Sequence, residues 1–415
     1  MKKSDRSYED LAPNTEYTVE LIVSGADISL YVDGVLKLKA SDPMHNPSGT
    51  IGFYAGGFNN LTVDDIVVTK LRNPVTEAAV SPLQPNGANG WYVDPITIQL
   101  STGARSSTLT QTEYSLDGGG NWSHYTGPVI IDQENGAIGF RYRSTDLSGN
   151  IETPKELTLR LDRTAPATTS ALSPEQPGGL TSWYVQPVTL TLTASDATSS
   201  VVETVYSLDG GANWQLYTSP LHFDTDGSYA VTYRSTDLAG NEENAHLINI
   251  LLDTTGPDIT VAAPVLNQAY ADSEELVPQL MLSDGFSGVN GGMTEMRLDG
   301  QVVKEGEAIH LYTIPLGTHT LITTASDLAG NIRSVTVTFQ TRSDAASVKT
   351  LIEKFVSMSW IDNAGIANSL LQKLEKGNLN ALINEVEAQS GKHLTAAAAQ
   401  ILLRDVGYLR QMNGN

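Results

Sequence analysis

The chain contains no cysteine. A disulfide framework, thiolate zinc sites and cysteine catalysis are therefore excluded. Basic charge is also scarce: 25 Lys+Arg stand against 47 Asp+Glu, a formal net charge of −22 over 415 residues. That balance argues against DNA or RNA, because binding a phosphate backbone needs concentrated Lys and Arg. It disfavours an anionic membrane surface for the same reason. No run of about 18 apolar residues exists, so nothing reads as a transmembrane segment. Lys2, Lys3 and Arg6 open the chain with no apolar stretch behind them, which does not read as a signal peptide. The chain is then either cytosolic or a piece of a longer secreted protein, its signal peptide presumed on a missing N-terminal part.

Chemistry-bearing motifs are missing too. The seven histidines (45, 124, 222, 246, 310, 319 and 393) are scattered, with no His-Glu-x-x-His and no pair at metal-ligand spacing. No Gly-x-Ser-x-Gly elbow or phosphate-cradling loop is found, and Gly118-Gly119-Gly120 has no helix behind it to receive a phosphate. Paired carboxylates such as Asp64-Asp65 carry little information among 47 acids. No enzyme is expected on this chain itself.

What is present is repetition. Trp91-Tyr-Val-Asp-Pro-Ile96 returns as Trp183-Tyr-Val-Gln-Pro-Val188, and Tyr114-Ser-Leu-Asp-Gly-Gly-Gly-Asn-Trp122 as Tyr206-Ser-Leu-Asp-Gly-Gly-Ala-Asn-Trp214. Tyr142-Arg-Ser-Thr-Asp-Leu-Ser-Gly-Asn150 returns as Tyr233-Arg-Ser-Thr-Asp-Leu-Ala-Gly-Asn241. A diverged third copy keeps Arg297-Leu-Asp-Gly300 and Ala325-Ser-Asp-Leu-Ala-Gly-Asn331. Blocks in register about 90 residues apart define a tandem array. Within it, Val188, Leu190 and Leu192 alternate with threonines in the period of a half-buried strand. Asp117-Gly118-Gly119 and Asp209-Gly210-Gly211 read as turns needing positive φ. Six or seven short strands per copy predict a β-sandwich, and the spacers Leu161-Asp-Arg-Thr-Ala-Pro166 and Leu252-Asp-Thr-Thr-Gly-Pro257 close one copy and stiffen entry to the next. The expected fold is mostly β: tandem sandwich modules at 75–163, 165–255 and 256–342, after a partial jelly roll at 1–72.

From about Ala345 the period becomes helical and the charge changes. Residues 345–415 carry seven Lys/Arg against six Asp/Glu, so 1–344 carries 18 against 41. Leu351, Ile352, Phe355 and Met358 form one stripe; Ile366, Leu370, Leu371 and Leu374 a second; Leu379, Leu382, Ile383 and Val386 a third. Leu394, Ala398, Ile401 and Leu402 begin a fourth, continued by Val406 and Leu409. Gly377 and Gly391 stand where C′ residues belong, and Asn378 and Thr395 where N-caps belong. A small bundle of three or four helices follows at 345–415.

Three resemblances arise from these blocks. Trp-Tyr-Val-x-Pro, Tyr-Ser-Leu-Asp-Gly-Gly-x-x-Trp and Asp-Leu-x-Gly-Asn, over about 75–341, resemble bacterial immunoglobulin-like modules of the kind named after a leptospiral outer-membrane protein. Ile28-Ser-Leu-Tyr-Val-Asp-Gly34, Gly49-Thr-Ile-Gly-Phe-Tyr54 and Val63-Asp-Asp-Ile-Val-Val68 look like the closing strands of a concanavalin- or laminin-G-like jelly roll at about half the usual length. Leu351-Ile-Glu-Lys-Phe-Val356, Ile366-Ala-Asn-Ser-Leu-Leu-Gln-Lys-Leu374 and Leu382-Ile-Asn-Glu-Val386 resemble the FIMAH module. Together they imply the non-catalytic C-terminal part of a secreted, extracellular or cell-surface Gram-positive carbohydrate-active protein. The whole would be a larger glycoside hydrolase or polysaccharide lyase, or else an adhesin-like stalk that binds protein or cell wall. The expected partner is a polysaccharide or cell-wall glycan, and the expected state a monomer.

Two sets of candidate site residues follow. Trp91, Trp122, Tyr125, Trp183, Trp214 and Tyr217 have rings able to stack on sugar faces, although repeated aromatics are also what a sandwich core uses. Tyr54 and Phe58 join them through the jelly-roll resemblance. Asp146, Asp237 and Asp327, with Asp196 and Asp284, are candidates for calcium between modules; Asx-type turn bonding accounts for the first three without a metal. Asp224-Thr-Asp-Gly227 has some look of a calcium loop but reads better as a turn.

Overall fold

The computed structural model describes residues 12, 15–24, 27–41, 66, 73–102, 109–146 and 149–412. The chain is mostly β, with small antiparallel sheets arranged as tandem sandwich modules and four C-terminal helices. It divides into two compact units, residues 1–168 with 194–204 and 234–244, and residues 169–193 and 205–233 with 245–415.

At the start of the first unit, strands Val19–Ser24, Asp27–Val32 and Val35–Ser41 form an antiparallel sheet. Asp33 and Gly34 make a hairpin turn: Val32 pairs with Val35, and both turn residues have positive φ, 52° and 76°. The other strands expected in this segment, with Tyr54 and Phe58, lie outside the described residues.

The first repeat places Thr76–Ser81, Ile96–Thr102 and Val129–Ile131 in one sheet, and Lys155–Leu161, Asn135–Asp146, Leu109–Ser115 and Ser123–His124 in the other. Alternation decides which side chains face inward. Along Asn135–Asp146, Ile138, Phe140, Tyr142, Ser144 and Asp146 are buried while the residues between them are not. Ile96, Ile98 and Leu161 meet Phe140 in the core. Phe140 is fully buried and contributes about 1.5–3 kcal/mol by burial alone. The predicted glycine turns hold as well, with φ of 73° and 102° at Gly118 and Gly119 and of 74° and 94° at Gly210 and Gly211. The acid in each turn is a knot of bonds. Asp117 accepts from the Ser115 hydroxyl at 2.6 Å and from the Asn121 amide N–H and side chain at 2.9 and 2.6 Å. Asp209 repeats this with Ser207 and Asn213, and the Ser207 and Asn213 bonds hold its carboxyl down at about 2.

The second repeat has the same strand order. Its core is Tyr184, Val188, Leu190, Leu192, Phe223, Val231, Tyr233, Ile250 and Leu252. Each of the two copies also buries a carboxylate against its first strand: Glu152 accepts from the Thr76 hydroxyl at 2.6 Å, and Glu243 from that of Thr168. The third repeat departs from the plan. Its larger sheet has five strands, and Ala269–Ala271 joins it parallel to Ile332–Arg342.

Four helices follow: α1 (Ala345–Ser357), α2 (Ala364–Glu375), α3 (Leu379–Gln389) and α4 (Ala396–Met412). The caps of α1 and α2 are Asp344 and Asn363, and those expected from sequence are at α3, α4 and the ends of α2 and α3. Asn378 accepts from the Ala381 N–H, Thr395 from the Ala398 N–H, and Gly377 and Gly391 have φ of 67° and 71°. Met358 is the exception in the stripes. It is the residue after α1 and is exposed, because the helix ends before it reaches the core face.

Candidate metal centres at two module joints

Each joint is built from a repeated Asp-Leu-Ala-Gly-Asn turn, the spacer that ends the preceding repeat and a loop of that preceding repeat. In the first unit, the Asp237-Leu-Ala-Gly-Asn241 turn is closed by its own acid: Asp237 accepts from the Asn241 N–H at 2.8 Å and its side-chain amide at 2.9 Å. That is the Asx bonding expected from sequence. The turn then does more. The Asn241 amide donates to the carbonyl of Asp162 at 3.1 Å, in the spacer that ends the first repeat. From the first repeat, Ala88 N–H donates to the Ala239 carbonyl at 2.7 Å, and the Asn89 amide to that of Leu238 at 2.9 Å. Gly87 is required here, since a Cβ on it would lie 2.5 Å from the Ala239 carbonyl oxygen.

The second unit builds the same joint again. Asp327 accepts from Asn331, whose amide donates to the Asp253 carbonyl at 2.9 Å. Leu180 N–H donates to the Ala329 carbonyl at 2.7 Å and the Thr181 hydroxyl to that of Leu328 at 3.1 Å. A Cβ on Gly179 would meet the Ala329 oxygen at 2.4 Å.

These contacts gather carboxylates. Asp162, Asp196 and Asp237 each present an oxygen within 4.8 Å of the others, and so do Asp253, Asp284 and Asp327. In both triads the first and third acids are buried and the middle one is half-buried. Backbone N–H groups occupy one oxygen of each middle acid: Thr198, Ser199 and Ser200 donate to Asp196 Oδ1, and Phe286 and Gly288 to Asp284 Oδ1. Asp162 Oδ1 accepts from Thr164 N–H at 3.1 Å, while its Oδ2 is buried with no hydrogen-bond partner among the described residues. Burial pushes the Asp162 carboxyl up, opposed by the Ser199 hydroxyl and Thr164 N–H and reinforced by Asp196 and Asp237. Asp253 differs: its Oδ2 accepts from Ser287 N–H at 3.1 Å.

Among the described residues no Lys, Arg or His pairs with any of these six acids. Two like charges within 4.8 Å repel by at least about 3 kcal/mol even at an effective dielectric constant near 20. A cation between three ionised carboxylates would offset that repulsion, as would a proton on one of them. The donors are all oxygen, with neither thiolate nor imidazole, which suits a hard ion such as calcium rather than zinc. A buried carboxylate oxygen without a partner is what such an ion would satisfy.

Of the five acids singled out in the sequence, the structure brings together Asp196 with Asp237, and Asp284 with Asp327, each pair joined by a further acid, Asp162 or Asp253. Among the described residues Asp146 is not in a triad. It makes the Asx bonds with Asn150 at 2.8 and 2.9 Å, but the repeat register puts Ala104 and Lys70 where the next copy has Asp196 and Asp162. Asp226 of the supposed calcium loop accepts instead from Thr254 and Thr255, each bond 2.8–2.9 Å.

The aromatic candidates are held by the modules' own packing. Trp91 is buried, with the Arg160 guanidinium 5.8 Å from its ring centroid, and Arg143 lies 4.0 Å over the Trp122 ring. The Tyr125 and Tyr217 hydroxyls accept from Leu100 N–H and Leu192 N–H, both at 3.0 Å. Trp183 and Trp214 are half-buried, and Gly211 sits against Trp214.

No family model matches the chain, and no curated protein matches it. Among solved structures, the chain is similar to the fibronectin(III)-like modules of Clostridium thermocellum CbhA at 14% identity and a TM-score of 0.21, covering 42% of this chain and 95% of that one. It is similar to a Ca2+-stabilised adhesin of an Antarctic bacterium that binds ice, at 15% identity and a TM-score of 0.24, covering 66% and 76%. A tetra-tandem repeat from the extending region of a large adhesion protein matches at 14% identity and a TM-score of 0.26, covering 65% and 74%.

Proposed function

We propose that this chain is the non-catalytic spacer region of an extracellular, polysaccharide-directed protein, and that calcium closes both joints of its module array. The carrying observation is the repetition of one joint, down to the docked loop, the Asn bridge and the acid triad, in two places. An array of small modules needs its joints fixed if it is to hold a terminal module at a set place. A cation binding three carboxylates drawn from two successive repeats does that. Asp162 and Asp253 would join the other four acids as ligands, and the ion would cancel the repulsion that otherwise opposes closure. The absence of cysteine agrees with a chain that uses metal ions rather than disulfides to secure small domains outside the cell.

Glycan binding, in this reading, belongs to the segment at 1–72 through its jelly-roll resemblance, and the helical module at 345–415 is the FIMAH-like terminus. Affinity electrophoresis against a polysaccharide panel separates this from a stalk that binds protein or cell wall, since only the first is retarded. The joint itself is tested by limited trypsin digestion with calcium or with a chelator. Arg163 lies in the first joint's spacer, and chelation is expected to speed cleavage after it several-fold. Equal cleavage in both conditions would overturn calcium closure.

A further inference from the structure

A second gathering of buried charge lies where the helical module meets the third sandwich, inside one unit. Arg404 of α4 reaches into the sandwich. Its NH1 donates to the carbonyls of Tyr312 and Ile314 at 3.1 and 2.6 Å, and its NH2 to Asp272 Oδ2 at 2.7 Å. Its Nε donates to Asp405 Oδ1, its own neighbour on α4, at 2.6 Å. Asp272 Oδ1 accepts from the Ser347 hydroxyl of α1. Both carboxylates are fully buried.

One guanidinium therefore faces two carboxylates. If both were ionised, a net negative charge would be sealed in a water-poor interface, at a cost of several kcal/mol. Other charged groups on these faces are already committed. Lys354 pairs with Glu275 at 2.8 Å, His310 lies 3.1 Å from the same carboxylate, and Asp344 caps α1 through Ser347 N–H at 2.7 Å. No further cation reaches the pair among the described residues. Asp405 Oδ2 is buried without a hydrogen-bond partner. A proton there removes the excess charge and turns an unpartnered acceptor into a donor facing Asp272.

We propose that Asp405 enters this interface as the neutral acid, so that docking of the helical module on the third sandwich is proton-linked, tight in acid and weaker as pH rises. The pKa agrees in direction: burial pushes the Asp405 carboxyl up, to about 8, with Arg404 opposing and Asp272 adding to the rise. The sign follows from linkage. The docked state holds a proton that a solvated Asp405 gives up near its ordinary value. The opening equilibrium therefore increases up to about tenfold per pH unit from roughly pH 4 and levels off near pH 8.

Hydrogen exchange of the full chain tests this, each peptide's rate being corrected for the intrinsic pH dependence. The peptides spanning 269–274, 311–315 and 400–409 are expected to lose protection steadily between pH 5 and pH 8. Asp405→Asn, which keeps the shape and supplies a permanent donor, is expected to flatten that profile. Asp272→Asn leaves Asp405 alone with Arg404, so that its ionised form is paired, and is expected to flatten it as well. A wild-type profile already flat across this range, or an Asp405→Asn profile as steep as wild type, would overturn the proposal. Exchange at the joints does not enter this readout, so the result stands apart from the calcium reading.

Discussion

Buried carboxylates meet at two kinds of place in this molecule, and the source of their counter-charge differs. At the two joints three acids converge with no basic side chain among the described residues. At the interface of the helical module two acids share one guanidinium. The first arrangement could hold an ion from solution, and the second is proposed to take one proton beyond its built-in cation. On the two proposals, the same chemistry makes one contact depend on metal and the other on pH.

The largest expected effect comes from removing the built-in cation. Arg404→Ala leaves Asp272 and Asp405 buried and unpaired, which should destabilise the docked helical module by about 3 kcal/mol or more. Denaturant unfolding followed at the helices measures this, and the loss should be the same with or without calcium. Next comes the ion itself: at a hundredfold excess over Kd, calcium adds about 2.7 kcal/mol for each site it fills. Calorimetric unfolding should show this for the sandwiches, with little change in the helical module. A uniform shift of both would erase the distinction drawn here.

Closure of the joint by backbone contact can be tested apart from the metal. Gly179→Ala drives a Cβ against the Ala329 carbonyl and should cost about 1–3 kcal/mol. Gly127→Ala, which meets nothing within 4 Å, should change stability by less than about 0.5 kcal/mol. Among the substitutions at the joint the smallest effect is expected of Asn331→Ala, which loses the bridge to the Asp253 and Thr255 carbonyls and should cost about 1 kcal/mol. If Asn331→Ala also weakens calcium binding at the second joint, the bridge and the triad act together.

Much of this was legible in the sequence because it is local. Strand alternation, positive-φ glycines after Asp117 and Asp209, and the caps at Asn378 and Thr395 all depend on residues a few places apart. The triads were half legible. Asp237 and Asp327 stand out in repeated turn sequences and Asp196 and Asp284 were singled out beside them, whereas Asp162 and Asp253 sit in spacers whose prolines suggested stiffness and concealed a recurring acid. The alignment of Leu161-Asp162 with Leu252-Asp253 was the available clue. Asp146 looked equivalent because its turn is the same, and only Lys70 and Ala104, at the register positions of Asp162 and Asp196, set it apart. The Asp272–Arg404 pair spans 132 residues and two kinds of fold, so no periodicity could reveal it.

The most direct test is the stoichiometry of calcium bound at equilibrium to the full chain, measured by dialysis for wild type, Asp162→Asn and Asp253→Asn. The account predicts two joint-site ions in the wild type and one fewer in each variant, with both lost in the double variant. Calcium uptake left unchanged by both substitutions, or no uptake at all, would contradict it.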